Sequence, residues 1–212
     1  LSRWGRWLAR VDPRRAHEAA TPRGPVRFDF VPCVPDLDRL PDERWRRTLA
    51  RTALAAPREA FDYGDPSGAP ELREQLAAYL LRARGVAASP EQIVVVGGVA
   101  QALDLCARLW LDPGDAVLVE EPGYLGARRV FGAAGAELHG APVDAQGVDL
   151  SRVAPATLRR AKLAYVTPSH QFPTGAVMSL RRRLALLRWA AESGAYVIED
   201  DYDSEYRYAG RA

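Results

Sequence analysis

The sequence predicts an α/β fold, a mostly parallel sheet with helices on both faces, and three observations carry that expectation. Short apolar runs rich in valine recur between residues 93 and 198. Stretches with helical spacing of apolar residues separate most of them, and clusters such as Asp112-Pro-Gly-Asp115 punctuate the joins. Wholly apolar strands are what a sheet covered on both faces requires, and strand–helix–strand alternation implies crossovers to parallel neighbours.

Along the chain, residues 1–41 hold Pro13, Pro22, Pro25, Pro32, Pro35 and Pro41 and read as a basic linker or arm (1–24) leading into an extended arm. A helix fits about 42–56, with Trp45, Leu49 and Leu54 on one side, which makes 25–60 an N-terminal arm and helix. Asp62-Tyr-Gly-Asp-Pro-Ser-Gly68 is a turn cluster. Pro70 opens the next helix and Gly85 stops it, the favoured residue at each end. From residue 61 to 212 the chain reads as one α/β domain: strands at 93–96, 116–119, 136–141, 163–167 and 195–198, helices at 99–111, 124–134 and 180–193.

Composition narrows the class. With 48% apolar and 26% charged residues, 212 residues are enough for one sizeable core. No run approaches the ~20 apolar residues of a membrane span. The start lacks the apolar core of a signal peptide. Cys33 and Cys106 read as reduced packing residues, and the cytoplasm is the expected compartment. A net charge of +2 does not describe a nucleic-acid surface, although residues 1–24 set six arginines against Asp12 and Glu18. That segment is a solvated linker or a tail beside a nucleic-acid-binding module. Lys162 is the single lysine. With no initiator methionine and an end just beyond a strand, the chain reads as an incomplete piece.

Ligands of open α/β sheets sit outside the carboxyl ends of the strands. The residues just beyond each strand are therefore the test. After 93–96 come Gly97-Gly98-Val99-Ala100, then a helix. This is an ordinary tight turn or an anion cradle, where free N–H groups and the helix dipole meet a negative group. After 116–119 comes Glu120-Glu-Pro-Gly-Tyr124, with a tyrosine that either starts a helix or offers a flat ring. After 163–167 runs the polar loop Pro168-Ser-His-Gln-Phe-Pro-Thr-Gly175, and after 195–198 the acidic run Glu199-Asp-Asp-Tyr-Asp203. The only histidines, His17, His139 and His170, have no zinc spacing. Together, cradle, ring, polar loop and carboxylate suit a flat, phosphorylated, cationic heterocycle.

At these residues the chain resembles the fold-type-I pyridoxal-phosphate family, in particular its class I aminotransferases and the aminotransferase-like domain of MocR/GntR-type transcription regulators. The matching stretches also include Phe61-Asp-Tyr-Gly-Asp-Pro-Ser-Gly68 with Leu72-Arg73, and Gly98-Val-Ala-Gln-Ala-Leu103. The resemblance covers about residues 28–208 and implies a partial large domain that binds pyridoxal 5′-phosphate. Gly98, Val99 and Ala100 would offer N–H groups to its phosphate, Tyr124 would stack on its ring, and Asp200 would pair with its protonated ring nitrogen. Tyr202 would bond its phenolic oxygen, and Tyr63 would reach the phosphate of a neighbouring subunit in a homodimer. Family members usually place asparagine before Pro-Thr-Gly. Here Phe172 stands there, so His170 or Gln171 takes over its contact.

The His-Gln-Phe-Pro-Thr-Gly form is more similar to the regulator branch. The resemblance also implies that the Schiff-base lysine lies beyond residue 212, so this piece alone has no catalytic residue and no activity. A DNA-binding module would precede residue 1, and the ligand would be an amine or amino acid. The rival expectations are a true amino-acid aminotransferase and an α/β binding protein without the cofactor.

Overall fold

The computed structural model describes Arg6, residues 38–203, Glu205 and Tyr206. The rest of the 1–37 arm, including Cys33 and His17, lies outside the described residues. The chain divides into two compact units, one through Val96 and one from Gly97.

In the first unit, α1 (Glu43–Ala55) starts where the Asp42 carboxylate accepts from the Trp45 N–H at 2.7 Å, an N-cap that satisfies one free donor. Helix α2 (Pro70–Arg84) opens on its proline and ends at Gly85, whose φ of 68° lets its N–H return to the last turn. Arg73 of α2 is a three-way clamp. Its guanidinium donates to Asp65 Oδ2 (2.8 Å), Gly68 O (3.1 Å) and Pro90 O (3.3 Å), locking the turn ahead of the helix. Hydrogen bonding from Ser67, then the Arg73 charge, holds the Asp65 carboxyl below its usual range.

Residues 93–96, expected to be the first strand, are extended but join no ladder among the described residues. Ile93 has φ −104° and ψ 127°, and the Val95 N–H donates to Ser67 O at 2.8 Å. An apolar β-branched run specifies extended backbone; a strand also needs a partner, which the run itself does not encode. Val94 and Val95 are exposed.

The second unit holds a five-stranded sheet of order β3-β2-β1-β4-β5. Its strands are β1 (Ala116–Glu121), β2 (Glu137–Asp144), β3 (Gly147–Val148), β4 (Ala161–Val166) and β5 (Tyr196–Glu199). The order β2-β1-β4-β5 is parallel throughout, and only β3 returns antiparallel on β2. Successive residues of β1 feed opposite layers. Ala116 and Leu118 join Val148, Val153, Met178, Leu158 of α5 (Pro155–Arg160), and Leu186 and Trp189 of α6 (Leu180–Ser193). Val117 and Val119 join Leu103 and Ala107 of α3 (Val99–Trp110) and Ala127 and Phe131 of α4 (Leu125–Ala133). The sheet is thus covered on both faces, as expected. Each large side chain buried this way contributes roughly 1.5–3 kcal/mol.

Two elements were not expected. The β2–β3 hairpin turns on Gly147, at φ 89°, and helix α5 has six residues, too few to show a period. Among the described residues no helix is long and apolar enough to cross a membrane.

Candidate functional site

Helix α3 runs against the strands. Its last residue, Trp110, stacks on Tyr196, the first residue of β5, with ring centroids 4.6 Å apart and planes 14° from parallel. A helix of 12 residues is about 18 Å long. Its other end, at Gly98, is therefore well away from the start of β5. Gly98 sits at φ 157°, ψ 171°, and a Cβ there would meet nothing within 4 Å. The neighbouring Gly97 N–H is taken by Gln101 Oε1 at 2.6 Å. No side chain caps the helix at Gly98. An open glycine face over the first free N–H groups of a helix suits an incoming phosphate.

Tyr124 stands at the end of β1 and is the N-cap of α4. The chain reaches it through a tight turn: a Cβ on Gly123 would lie 2.4 Å from Glu120 O. The Tyr124 ring folds over Gly126, where a Cβ would come within 2.3 Å of the ring. It leans on Tyr165 (centroids 6.4 Å apart, 33°) and meets the edge of Phe172 at 6.1 Å. Gly126 is thus the space in which the ring rests. Replacing it by alanine should favour the helix by up to about 1 kcal/mol, yet push the ring aside. The expected result is a Gly126→Ala variant of the full-length protein that melts no lower but binds pyridoxal phosphate about tenfold more weakly, as measured by cofactor titration.

Asp200 follows β5 directly. Its N–H donates at 2.9 Å to the carbonyl of Val166, the last residue of β4. Its Oδ2 accepts from the Tyr165 hydroxyl at 2.5 Å. Burial, then that hydrogen bond, raises the Tyr165 phenol far above its ordinary range, so it is a donor at any working pH. Phe172 also meets Tyr202, at 6.3 Å. His170 Nδ1 and Asp203 Oδ1 are 2.6 Å apart, tying the 167–175 loop to the segment after β5.

Behind this surface lies a buried polar node. Glu120 Oε2 accepts from the Thr167 hydroxyl (2.6 Å), the Gln171 amide (3.1 Å) and the Thr167 N–H (3.3 Å). Glu120, Thr167 and Gln171 are each 1% exposed, and Glu120 Oε1 has no hydrogen-bond partner among the described residues. Burial pushes the Glu120 carboxyl up, against the pull of its donors. The Gln171 Nε2 also reaches Pro122 O and Phe172 O, and its Oε1 accepts from Thr174. The node thereby binds the Tyr124 turn to the polar loop.

Of the residues expected at the site, Tyr124, Asp200, Tyr202 and His170 are linked through Tyr165, Phe172 and Asp203. The Gly98–Ala100 turn opens helix α3, with Gly98 unobstructed on its Cβ side. Gln171 spends both ends of its amide on internal partners. Tyr63 belongs to the other unit and is fully exposed. Lys162 starts β4 at the opposite sheet end, paired with Asp115 at 3.0 Å. Sequence reasoning passed over Tyr165, Glu120 and Gly126. A tyrosine inside an apolar strand and a glutamate before the Glu-Pro-Gly turn were the available signals, since each is a polar group at a position the pattern buries.

The class I and II aminotransferase family model matches residues 33–202. The chain is 41% identical over 204 residues to the probable rhizopine catabolism regulatory protein MocR of Rhizobium meliloti, covering 95% of this chain and 41% of that one. It is 38% identical over 191 residues to the HTH-type pyridoxine biosynthesis transcriptional regulator PdxR of Corynebacterium glutamicum, covering 88% and 39%. The crystal structure of the multiple substrate aminotransferase of Thermococcus profundus aligns with a TM-score of 0.76 at 31% identity, over 84% of this chain and 46% of that one. The chain spans about two-fifths of the length of these regulators. With a family model matched over most of its residues, and a sheet and site laid out as described, the chain belongs to the class I and II aminotransferase family.

Proposed function

We propose that this chain is the cofactor-holding part of an aminotransferase-like domain in a MocR-type transcription regulator, and that its cofactor is pyridoxal 5′-phosphate. The observation that carries this reading is the Tyr124–Tyr165–Asp200 arrangement, which sets a ring and an oriented carboxylate on one sheet end. Gly98, Val99 and Ala100 would hold the phosphate, Tyr124 would lie on the ring, and Asp200 would face its nitrogen. Tyr202 would bond the ring's phenolic oxygen, and His170 would take the contact that the family's asparagine makes. Gln171 would act through the loop that it pins. When bound, the cofactor supplies an electron sink for a carbon beside an amine nitrogen. The residues here bind it, orient it and keep a proton at its ring nitrogen.

The partners that fit are an amine or amino-acid ligand and a second copy of the chain, with Tyr63 directed to the neighbour's phosphate. DNA would be met only through a separate domain, in the cytoplasm. Titrating the full-length protein with pyridoxal phosphate tests the reading. A visible absorption band at one cofactor per chain, and an amine-dependent change in DNA binding, are expected. A protein that takes up no cofactor would sink it.

The likeness to solved aminotransferases favours a second reading, an amino-acid aminotransferase. In that case the loaded protein would pass an amino group from an amino acid to a 2-oxo acid over many turnovers, which a regulator would not do.

A further inference from the structure

We infer that Tyr165 is a positioning residue for Asp200, whose carboxylate it aims so that the proton stays on the cofactor's ring nitrogen. This rests on the cofactor reading and goes beyond it to a residue that would not itself touch the cofactor.

The geometry is specific. Tyr165 lies in β4 with 1% of its surface exposed, wedged between the edge of Phe131 (6.3 Å) and the ring of Tyr124 (6.4 Å). Packing therefore fixes where its hydroxyl points, and that point is Asp200 Oδ2 at 2.5 Å. The backbone on either side is fixed too, because Asp200 N–H is bonded to Val166 O, the residue after Tyr165. One carboxylate oxygen is thus committed to the protein and the other is left to the ring.

The chemistry is a competition for one proton. A carboxylate and a pyridine nitrogen facing each other share it, and the weaker base leaves it with the stronger. A donor on the far oxygen of a carboxylate draws on its charge and weakens its pull on a proton held opposite. The Tyr165 phenol is such a donor, and burial beside a carboxylate keeps its own proton in place. A buried tyrosine hydroxyl needs some partner in any case, so the decisive readout is at the ring nitrogen rather than in stability.

The test uses the full-length protein loaded with pyridoxal phosphate carrying nitrogen-15 in its ring. Three forms are compared with wild type: Tyr165→Phe, 3-fluorotyrosine at position 165, and Asp200→Ala. Tyr165→Phe should move the nitrogen resonance toward unprotonated pyridine and weaken cofactor binding about tenfold, the scale of one hydrogen bond to a charged group. The fluorinated phenol, a stronger donor, should move the resonance the opposite way. Unchanged resonances in both would overturn the inference, and if the phenylalanine variant does not fold, the fluorinated protein alone decides. An Asp200→Ala protein with normal cofactor affinity would instead remove the cofactor reading itself.

Discussion

Asp200→Ala in the full-length protein should weaken pyridoxal phosphate binding by about a hundredfold. The carboxylate is half-buried and held from two sides, by the Tyr165 hydroxyl and by its own N–H on Val166 O. It is therefore set for a cation before one arrives, and the cofactor need not spend binding energy to orient it. Leaving a buried charge without its partner costs about 3–5 kcal/mol. Asp200 keeps some solvent contact, so about 2–3 kcal/mol is the appropriate scale, or about 30- to 150-fold. Asp200→Asn should be nearly as damaging, because an amide keeps the shape without the charge. Equilibrium dialysis against pyridoxal phosphate, with absorbance to follow the bound form, measures both. Affinity within about threefold of wild type in the alanine variant would contradict the assignment.

The second large effect is on stability. Glu120→Ala should destabilise the protein by about 3 kcal/mol or more, because it leaves the Thr167 hydroxyl and the Thr167 N–H buried without their acceptor. Glu120→Gln should fall within about 1 kcal/mol of wild type. The glutamine oxygen can take the place of Oε2 and keep its three donors.

The pH dependence has a definite sign. Burial raises the Glu120 carboxyl above its ordinary value near 4.5, so the folded protein holds that proton more tightly than the unfolded chain. The resulting stability is full below that ordinary value and is lost as pH rises through the raised one. Glutamine does not titrate there. The stability of Glu120→Gln relative to wild type should therefore rise with pH across that window, by at most about 1.4 kcal/mol per unit. Chemical denaturation of both proteins from about pH 4 to about pH 8, which brackets the carboxylate range and its upward shift, reads this out. A constant difference would mean that Glu120 is ionised in the fold.

Much of the fold could be read from local pattern. The apolar runs at 116–119, 163–167 and 195–198 became β1, β4 and β5 to within two residues at each end, because burial on both faces leaves a strand no polar positions. The run at 93–96 has the same pattern without a ladder, since pairing depends on a partner that no short window contains. The site divides along the same line. The places of Tyr124 and Asp200 just beyond β1 and β5 were legible in the sequence. The bonds that aim them were not: Tyr165 and Asp200 are 35 residues apart, and Glu120 and Gln171 are 51 apart. The choice between His170 and Gln171 was open for the same reason. The Gln171 amide is consumed by Glu120, Pro122, Phe172 and Thr174, and only the folded arrangement reveals that.

Lys162 has a practical corollary. It is the sole amine-bearing side chain in 212 residues, and it is salt-bridged to Asp115 near the start of β4. Aldehydes condense readily with exposed amines, and surface condensation ordinarily obscures where such a reagent belongs. This stretch is almost silent toward that chemistry. In a reduced, protease-digested sample, side-chain adduct on peptides from this stretch can lie only at Lys162, so here any covalent background is read at a single position.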